Sequence, residues 1–236
     1  RYSNTPLHPV IEHAERVIGI AAEDGTATRL EKIQSLLQHT YGLEEDDVRL
    51  MAALLMVPYA DRIGALRLAP QLQKAETLRM LVDVTEAACR RDPLLLVVED
   101  AHWADPSTVD MLEQLALRAP SIPLFLLITH RPEFSSTAFV DAGAMLLTLP
   151  RLSPAQSSTI VARMNRSGVL DDGMIRQIMA HADGIPLFLE EMTKAVLESA
   201  DATETSAPNP AAPIPPTLRD SLMARLDRVA GGKLVA

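Results

Sequence analysis

The stretch PLLLVVEDAHWADP, residues 93–106, decides the fold of this chain. Five consecutive aliphatic residues, Leu94–Val98, run directly into the adjacent carboxylates Glu99 and Asp100. A short unbroken apolar run predicts a strand buried on both faces, as in a parallel sheet. The acidic pair then falls at the carboxyl end of that strand, where open α/β sheets place their ligands. Side-by-side carboxylates at the tip of a buried strand are costly unless something cationic compensates them. On the local pattern alone, the pair reads equally well as a polar ending to a core strand.

Working outward, Pro106 suits the first turn of a helix over 107–118, with Asp105 or Ser107 as its N-cap. A second apolar strand is predicted at Leu124–Ile128, ending in Thr129-His130-Arg131, and a third over 145–149, ending at Pro150. Strand, helix, strand at this spacing implies right-handed parallel crossovers and a layered α/β sheet. Upstream the pattern is helical. Val10, Ile11, Ala14, Val17 and Ile18 form one apolar face, and Leu30, Ile33, Leu36 and Leu37 a second. Asp46-Asp47 reads as the start of a third helix carrying Val48, Met51, Leu54 and Leu55, its acids complementing the helix dipole. A long fourth helix is expected over 70–90, with Leu72, Ala75, Leu78, Val82 and Cys89 inward.

Beyond Arg151 the strand patterns cease. Ser153-Pro154 opens one helix (Ile160, Val161 and Met164 inward), and Asp171-Asp172 a second (Ile175, Ile178 and Met179 inward). Gly184-Ile185-Pro186 breaks the chain before a third, over 187–199. The expected organisation is a sheet-bearing part over 1–150, helical over 1–92 and strand-containing over 93–150. A helical subdomain over 151–200 and a linker over 201–216 follow. Residues 217–236 then open a further helical, winged-helix-like element with Leu218, Leu222 and Leu226 at helical spacing.

Composition bounds the function. The net charge of −9 argues against a broad nucleic-acid-binding surface. A single cysteine, Cys89, excludes an internal disulfide framework and fits a reducing cytoplasm. No run approaches the roughly 18–20 apolar residues of a membrane span, and no signal peptide is evident. The chain opens without Met and stops inside what reads as a new element, the expectation for an internal piece of a longer protein.

Several of these segments together carry a family resemblance. PLLLVVEDAHWADPSTVDMLEQLALRAPSIPLFLLITHRPEF, residues 93–134, resembles the Walker B to sensor region of AAA-like (STAND) P-loop ATPase modules. LPRLSPAQ (149–156) and GIPLFLEEMTKAVLES (184–199) resemble the lid of the same modules. TPLHPVIEHAERVIG (5–19) and LAPQLQKAETL (68–78) are similar to variants fused to class III adenylate/guanylate cyclases. Related modules occur in LuxR-type transcriptional regulators. The resemblance implies a P-loop NTPase-type three-layer parallel sheet, here incomplete, followed by an α-helical lid.

It also implies roles for particular residues. Glu99 matches the Mg²⁺-associated carboxylate and Asp100 the water-activating one, both meeting the ion through water. Arg131 matches the sensor position, where a guanidinium stabilises charge on a terminal phosphate, and Thr129 is its polar companion. Pro186 matches the lid motif that packs on the base and sugar of the nucleotide. Aspartate is commoner at the first acidic position, so Glu99 departs from the pattern, and an in-line water is sensitive to small displacements.

Blander readings stand beside these. Arg131 would be a loop arginine paired with Glu133, and Pro186 a helix start. Trp103 would pack at the strand–helix junction, and Cys89 and Met174, Met179 and Met192 would fill core. Glu44-Glu45-Asp46-Asp47 would be a solvated helix entrance. His102 and Asp105 lack companions at metal-ligand spacing.

No G-x-x-x-x-G-K-[ST] loop occurs; Gly231-Gly232-Lys233 lies at the wrong end and lacks the first glycine and the hydroxyl. The resemblance places that loop a few tens of residues before Arg1. What it implies overall is an ATP-binding and ATP-hydrolysing switch module, with ATP and Mg²⁺ as cofactors. Its partners would be a fused cyclase or DNA-binding output domain and C-terminal helical repeats. The alternatives are a non-hydrolysing nucleotide-binding scaffold, the module of a LuxR-type regulator, and a plain α/β interaction domain. By itself the chain is expected to be inactive.

Overall fold

The computed structural model describes residues 6–134, 137–166 and 168–203. The chain divides into two units, Arg1–Leu146 and Leu147–Ala236.

The first unit is built largely of helices. α1 (His8–Ile18), α2 (Thr26–Gln34), α3 (Glu45–Leu54), the short α4 (Ala60–Ile63) and the long α5 (Pro70–Arg91) precede the first strand. α2 runs on into a π-helical turn, Ser35–Thr40, which keeps Leu37 on the same buried stripe as Leu30 and Ile33. Their predicted apolar faces meet in one core with Val48, Met51, Leu78, Val82 and Cys89. Val17 and Leu72, both expected to face inward, are about half exposed, at 50% and 49%.

At the acidic entrance to α3, Glu44, Glu45 and Asp46 are exposed as expected, but Asp47 is 3% exposed. Its carboxylate accepts from the backbone N–H of Glu44 at 3.1 Å and pairs with the Arg79 guanidinium of α5 at 2.8 Å. Arg79 also meets Glu76 and Asp83, so one cation serves three carboxylates.

β1 (Leu94–Val98) follows α5, and β2 (Leu124–Ile128) follows α6 (Pro106–Arg118). The two strands pair in parallel, in the register Leu94↔Leu124 through Val98↔Ile128. α6 starts where the sequence places it. Pro106 occupies the first turn, where a missing N–H costs nothing, and Asp105 caps. Met111, Leu112 and Leu115 of α6 lie in one core with Leu124, against which Leu94, Leu96, Val98 and Leu126 also pack.

Two expectations fail here. The strands are covered on one face only: Leu95 is 64% exposed, Val97 47%, Phe125 65% and Leu127 45%. Alternate residues share a face, so these four form an open apolar patch, with Leu95 opposite Phe125 and Val97 opposite Leu127. The run over 145–149 forms no strand, and Met145, Leu146, Leu147 and Leu149 are 74–93% exposed. A strand satisfies its backbone groups only through a neighbour. Among the described residues the sheet has two strands, and nothing pairs with 145–149. α7 (Thr137–Asp141) lies between β2 and that run.

The second unit holds α8 (Pro154–Met164), α9 (Asp172–Ala182) and α10 (Pro186–Thr203) around Val161, Leu170, Ile178, Leu189 and Met192. Its helix starts are legible in the sequence. Ser153 and Gln156 exchange side-chain and backbone hydrogen bonds in a capping box, and Asp171 accepts from the N–H of Met174 at 2.8 Å. Met192 is fully buried and Met179 packs against the core, whereas Met174 is 36% exposed. The helix α10 continues to Thr203, past the expected start of the linker at 201. The remainder of the linker and the element over 217–236 lie outside the described residues.

The two lid-like segments interlock within this unit. The N–H of Leu152 donates to the carbonyl of Gly184 at 2.8 Å, and Arg151 reaches the carbonyl and carboxylate of Asp183. Gly184 has φ +69°, and a Cβ there would lie 2.6 Å from the Leu152 carbonyl oxygen. The glycine is needed both for its conformation and for the close approach.

Candidate functional site

The carboxyl ends of β1 and β2 bring four of the five sequence-predicted site residues together. Glu99 and Asp100 leave β1, and Thr129 and Arg131 leave β2. The two exits are pinned to each other. The N–H of Asp100 donates to Thr129 Oγ1 at 3.0 Å, and the N–H of Ala101 to the Thr129 carbonyl at 2.9 Å. The N–H of Thr129 in turn donates to the Val98 carbonyl at 2.9 Å. Thr129 therefore fixes the backbone from which the Asp100 side chain projects.

Asp100 adopts the left-handed conformation, φ 55° and ψ 41°. Aspartate is one of the few residues that tolerate this region. The twist ends the strand and starts a 3₁₀ turn, Ala101–Trp103, closed by the Trp103 N–H on the Asp100 carbonyl at 2.8 Å. The Asp100 side chain is 73% exposed, and Glu99 is exposed as well. Water therefore solvates both acids, and the desolvation penalty expected for a buried pair does not arise.

Behind them the turn is tighter. The His102 side chain is 11% exposed, its Nδ1 is 3.9 Å from Asp100 Oδ1, and neither ring nitrogen has a hydrogen-bond partner. Its ring packs 5.1 Å from Trp103. Trp103 is 68% exposed rather than packed away in the junction. The Arg131 guanidinium sits over that indole, 5.7 Å from its centroid, and no ion pair joins Arg131 to Glu133 among the described residues. The sequence points to Trp103 only as packing, because its contact is made across two loops.

Asp105 is the N-cap of α6, as its position predicts. Its carboxylate accepts from the N–H groups of Ser107 and Thr108, from the Thr108 hydroxyl, and from the N–H of Leu7. Burial opposes its charge, but those donors outweigh it and hold the carboxyl below the ordinary aspartate range. Cys89 is buried, and burial, with Glu86 nearby, pushes its thiol up, the reverse of an activated nucleophile.

Pro186 belongs to the second unit, at the first position of α10, and is exposed. The depression between α5 and α6, lined by Arg79, Val82, Asp83, Gln114, Leu117 and Arg118, contains none of the candidate residues. Both of its arginines already hold carboxylates, Arg118 that of Glu86.

Among the described residues no three His, Cys, Asp or Glu side chains converge as a metal cage. Two exposed carboxylates with open water around them suit the other pattern, in which Mg²⁺ keeps its waters and is shared with a phosphate chain. No helix is long and apolar enough to cross a membrane among the described residues.

No family model matches this chain, and no solved structure matches it. Among curated proteins, an uncharacterized protein of Rhizobium meliloti (strain 1021) is 26% identical over 199 residues. That match takes in 83% of this chain and 19% of the relative, so the chain spans about a fifth of the relative's length.

Proposed function

We propose that this chain is the magnesium-and-water half of an ATP site in a multidomain signalling protein of the cytoplasm, built on an incomplete P-loop sheet with a helical lid. The observation that carries the reading is the acidic exit of β1, locked through Thr129 to the exit of β2, with Arg131 two residues further on. The resemblance of 93–134 to Walker B and sensor segments points the same way. The open apolar face of the sheet also supports it, because parallel sheets are ordinarily covered on both faces.

In this reading Glu99 and Asp100 are the residues that would hold Mg²⁺, which when bound would supply neutralisation of phosphate charge. Asp100 accepts a hydrogen bond from the attacking water and orients it. Thr129 keeps the Asp100 backbone in place, and Arg131 offers charge to the terminal phosphate. The phosphate-gripping loop is not among the 236 residues and is, in this reading, the other half of the site. ATP binding biases two conformations, and hydrolysis resets them. The output is a fused cyclase or, as in LuxR-type regulators, a DNA-binding domain.

Glu99 in the place of the commoner aspartate favours a second reading, a scaffold that binds nucleotide without turnover. Assaying the longer protein separates the two: tight ATP binding with no hydrolysis identifies the scaffold. For the 236-residue chain alone, calorimetry should find no micromolar ATP affinity; finding it would overturn the division of the site.

A further inference from the structure

We propose that Trp103 is the positioning residue for Arg131. The indole is 68% exposed at the end of the sheet, an unusual place for a large apolar ring, and the Arg131 guanidinium lies over it at 5.7 Å. Tryptophan is the strongest cation–π acceptor among the side chains, and 5.7 Å is within its range.

Both partners stand on the same anchor. Trp103 closes the 3₁₀ turn through its N–H on the Asp100 carbonyl, and the first N–H of that turn, that of Ala101, donates to the Thr129 carbonyl. Arg131 leaves the chain two residues after Thr129. The His102 ring, 11% exposed and 5.1 Å from the indole, backs the turn. The stack therefore bridges the two strand exits at the side-chain level, as Thr129 bridges them at the backbone.

The chemical sense lies in the kind of partner. A carboxylate such as Glu133 would neutralise the guanidinium, and an arriving phosphate would have to displace an ion pair. An aromatic face restrains the long arginine side chain while leaving its positive charge and its donors available. Arg131 is thus held at the acidic end of the sheet and released to an anion at small cost. This role rests on reading Arg131 as a phosphate-contacting residue, but the stack itself is tested without nucleotide.

The test follows modification of Arg131 by an arginine-selective dicarbonyl reagent, read by peptide mass spectrometry in the 236-residue chain. Trp103→Leu should speed modification of Arg131 about two- to fivefold, the population ratio of a cation–π contact at an exposed site. Trp103→Phe should return the rate toward wild type, which a merely structural loss would not allow. Trp103 is the single tryptophan of the chain, so acrylamide quenching of its emission reports the other partner and should rise in Arg131→Ala. Both side chains are exposed, so the variants keep their fold, as circular dichroism would verify. An unchanged Arg131 rate in Trp103→Leu, no slowing by Trp103→Phe, or unchanged quenching in Arg131→Ala would each overturn the proposal. Because neither assay contains ATP, failure here is distinct from failure of the ATPase reading.

Discussion

The backbone N–H of Leu7 donates to Asp105 Oδ2 at 3.0 Å, joining positions 98 residues apart. Leu7 is itself buried and left-handed, with φ 60°. The Asp105 carboxylate that caps α6 beside the candidate site thus also fastens the entrance to α1.

Asp105→Ala should cost about 2 kcal/mol, roughly 1 for the lost cap and 1 for the tertiary hydrogen bond. The folded carboxyl titrates below its ordinary value of 3.8. Its contribution is therefore complete above that value and is lost as pH falls through the lower folded pKa. Urea denaturation from pH 7 down to pH 2 should show a shallower acid-side loss of stability in Asp105→Asn than in wild type.

Gly184→Ala should destabilise the second unit by about 2–4 kcal/mol, through a positive φ and a contact with backbone that has no flexible end to yield. Gly184→Ala should lower hydrogen-exchange protection in α8, α9 and α10 while leaving protection of α5 and α6 unchanged.

Arg79→Met should cost about 2 kcal/mol, less than for a fully buried pair because the Arg79 side chain is 46% exposed. The loss comes from Asp47, left buried without its cation. A double change with Asp47→Asn should recover part of it, read from denaturation midpoints as a coupling energy.

Phe125→Glu on the open sheet face should change the stability of this chain by less than about 0.5 kcal/mol, as for other exposed positions. It should also reduce self-association in light scattering, since the patch is apolar and, among the described residues, the outer edges of the two strands are unpaired.

The contrast between these elements shows which parts of the structure can be read from sequence. Leu94–Val98 and Leu124–Ile128 were legible to the residue because unbroken aliphatic runs between turn signals specify strands locally. Pro106, Ser153 and Asp171 marked helix starts for equally local reasons. Residues 145–149 carry a similar apolar run yet form no strand, because pairing depends on a neighbour that no local pattern reports. The same holds for the site. Glu99, Asp100, Thr129 and Arg131 were readable as strand-end residues. The burial of Asp47, the Leu7–Asp105 bond and the Trp103–Arg131 stack arise from chain segments meeting in space, and spacing alone does not announce them.

The proposed role of Asp100, orienting the water that attacks ATP, is tested most directly by steady-state ATP hydrolysis in a longer protein that includes a phosphate-binding loop, wild type against Asp100→Asn. Asparagine tolerates the left-handed backbone of this position, so the change removes the charge and spares the turn. The expected result is a fall in kcat of about 100-fold or more, with ATP affinity within about threefold of wild type. Hydrolysis that continues undiminished in Asp100→Asn would contradict the account.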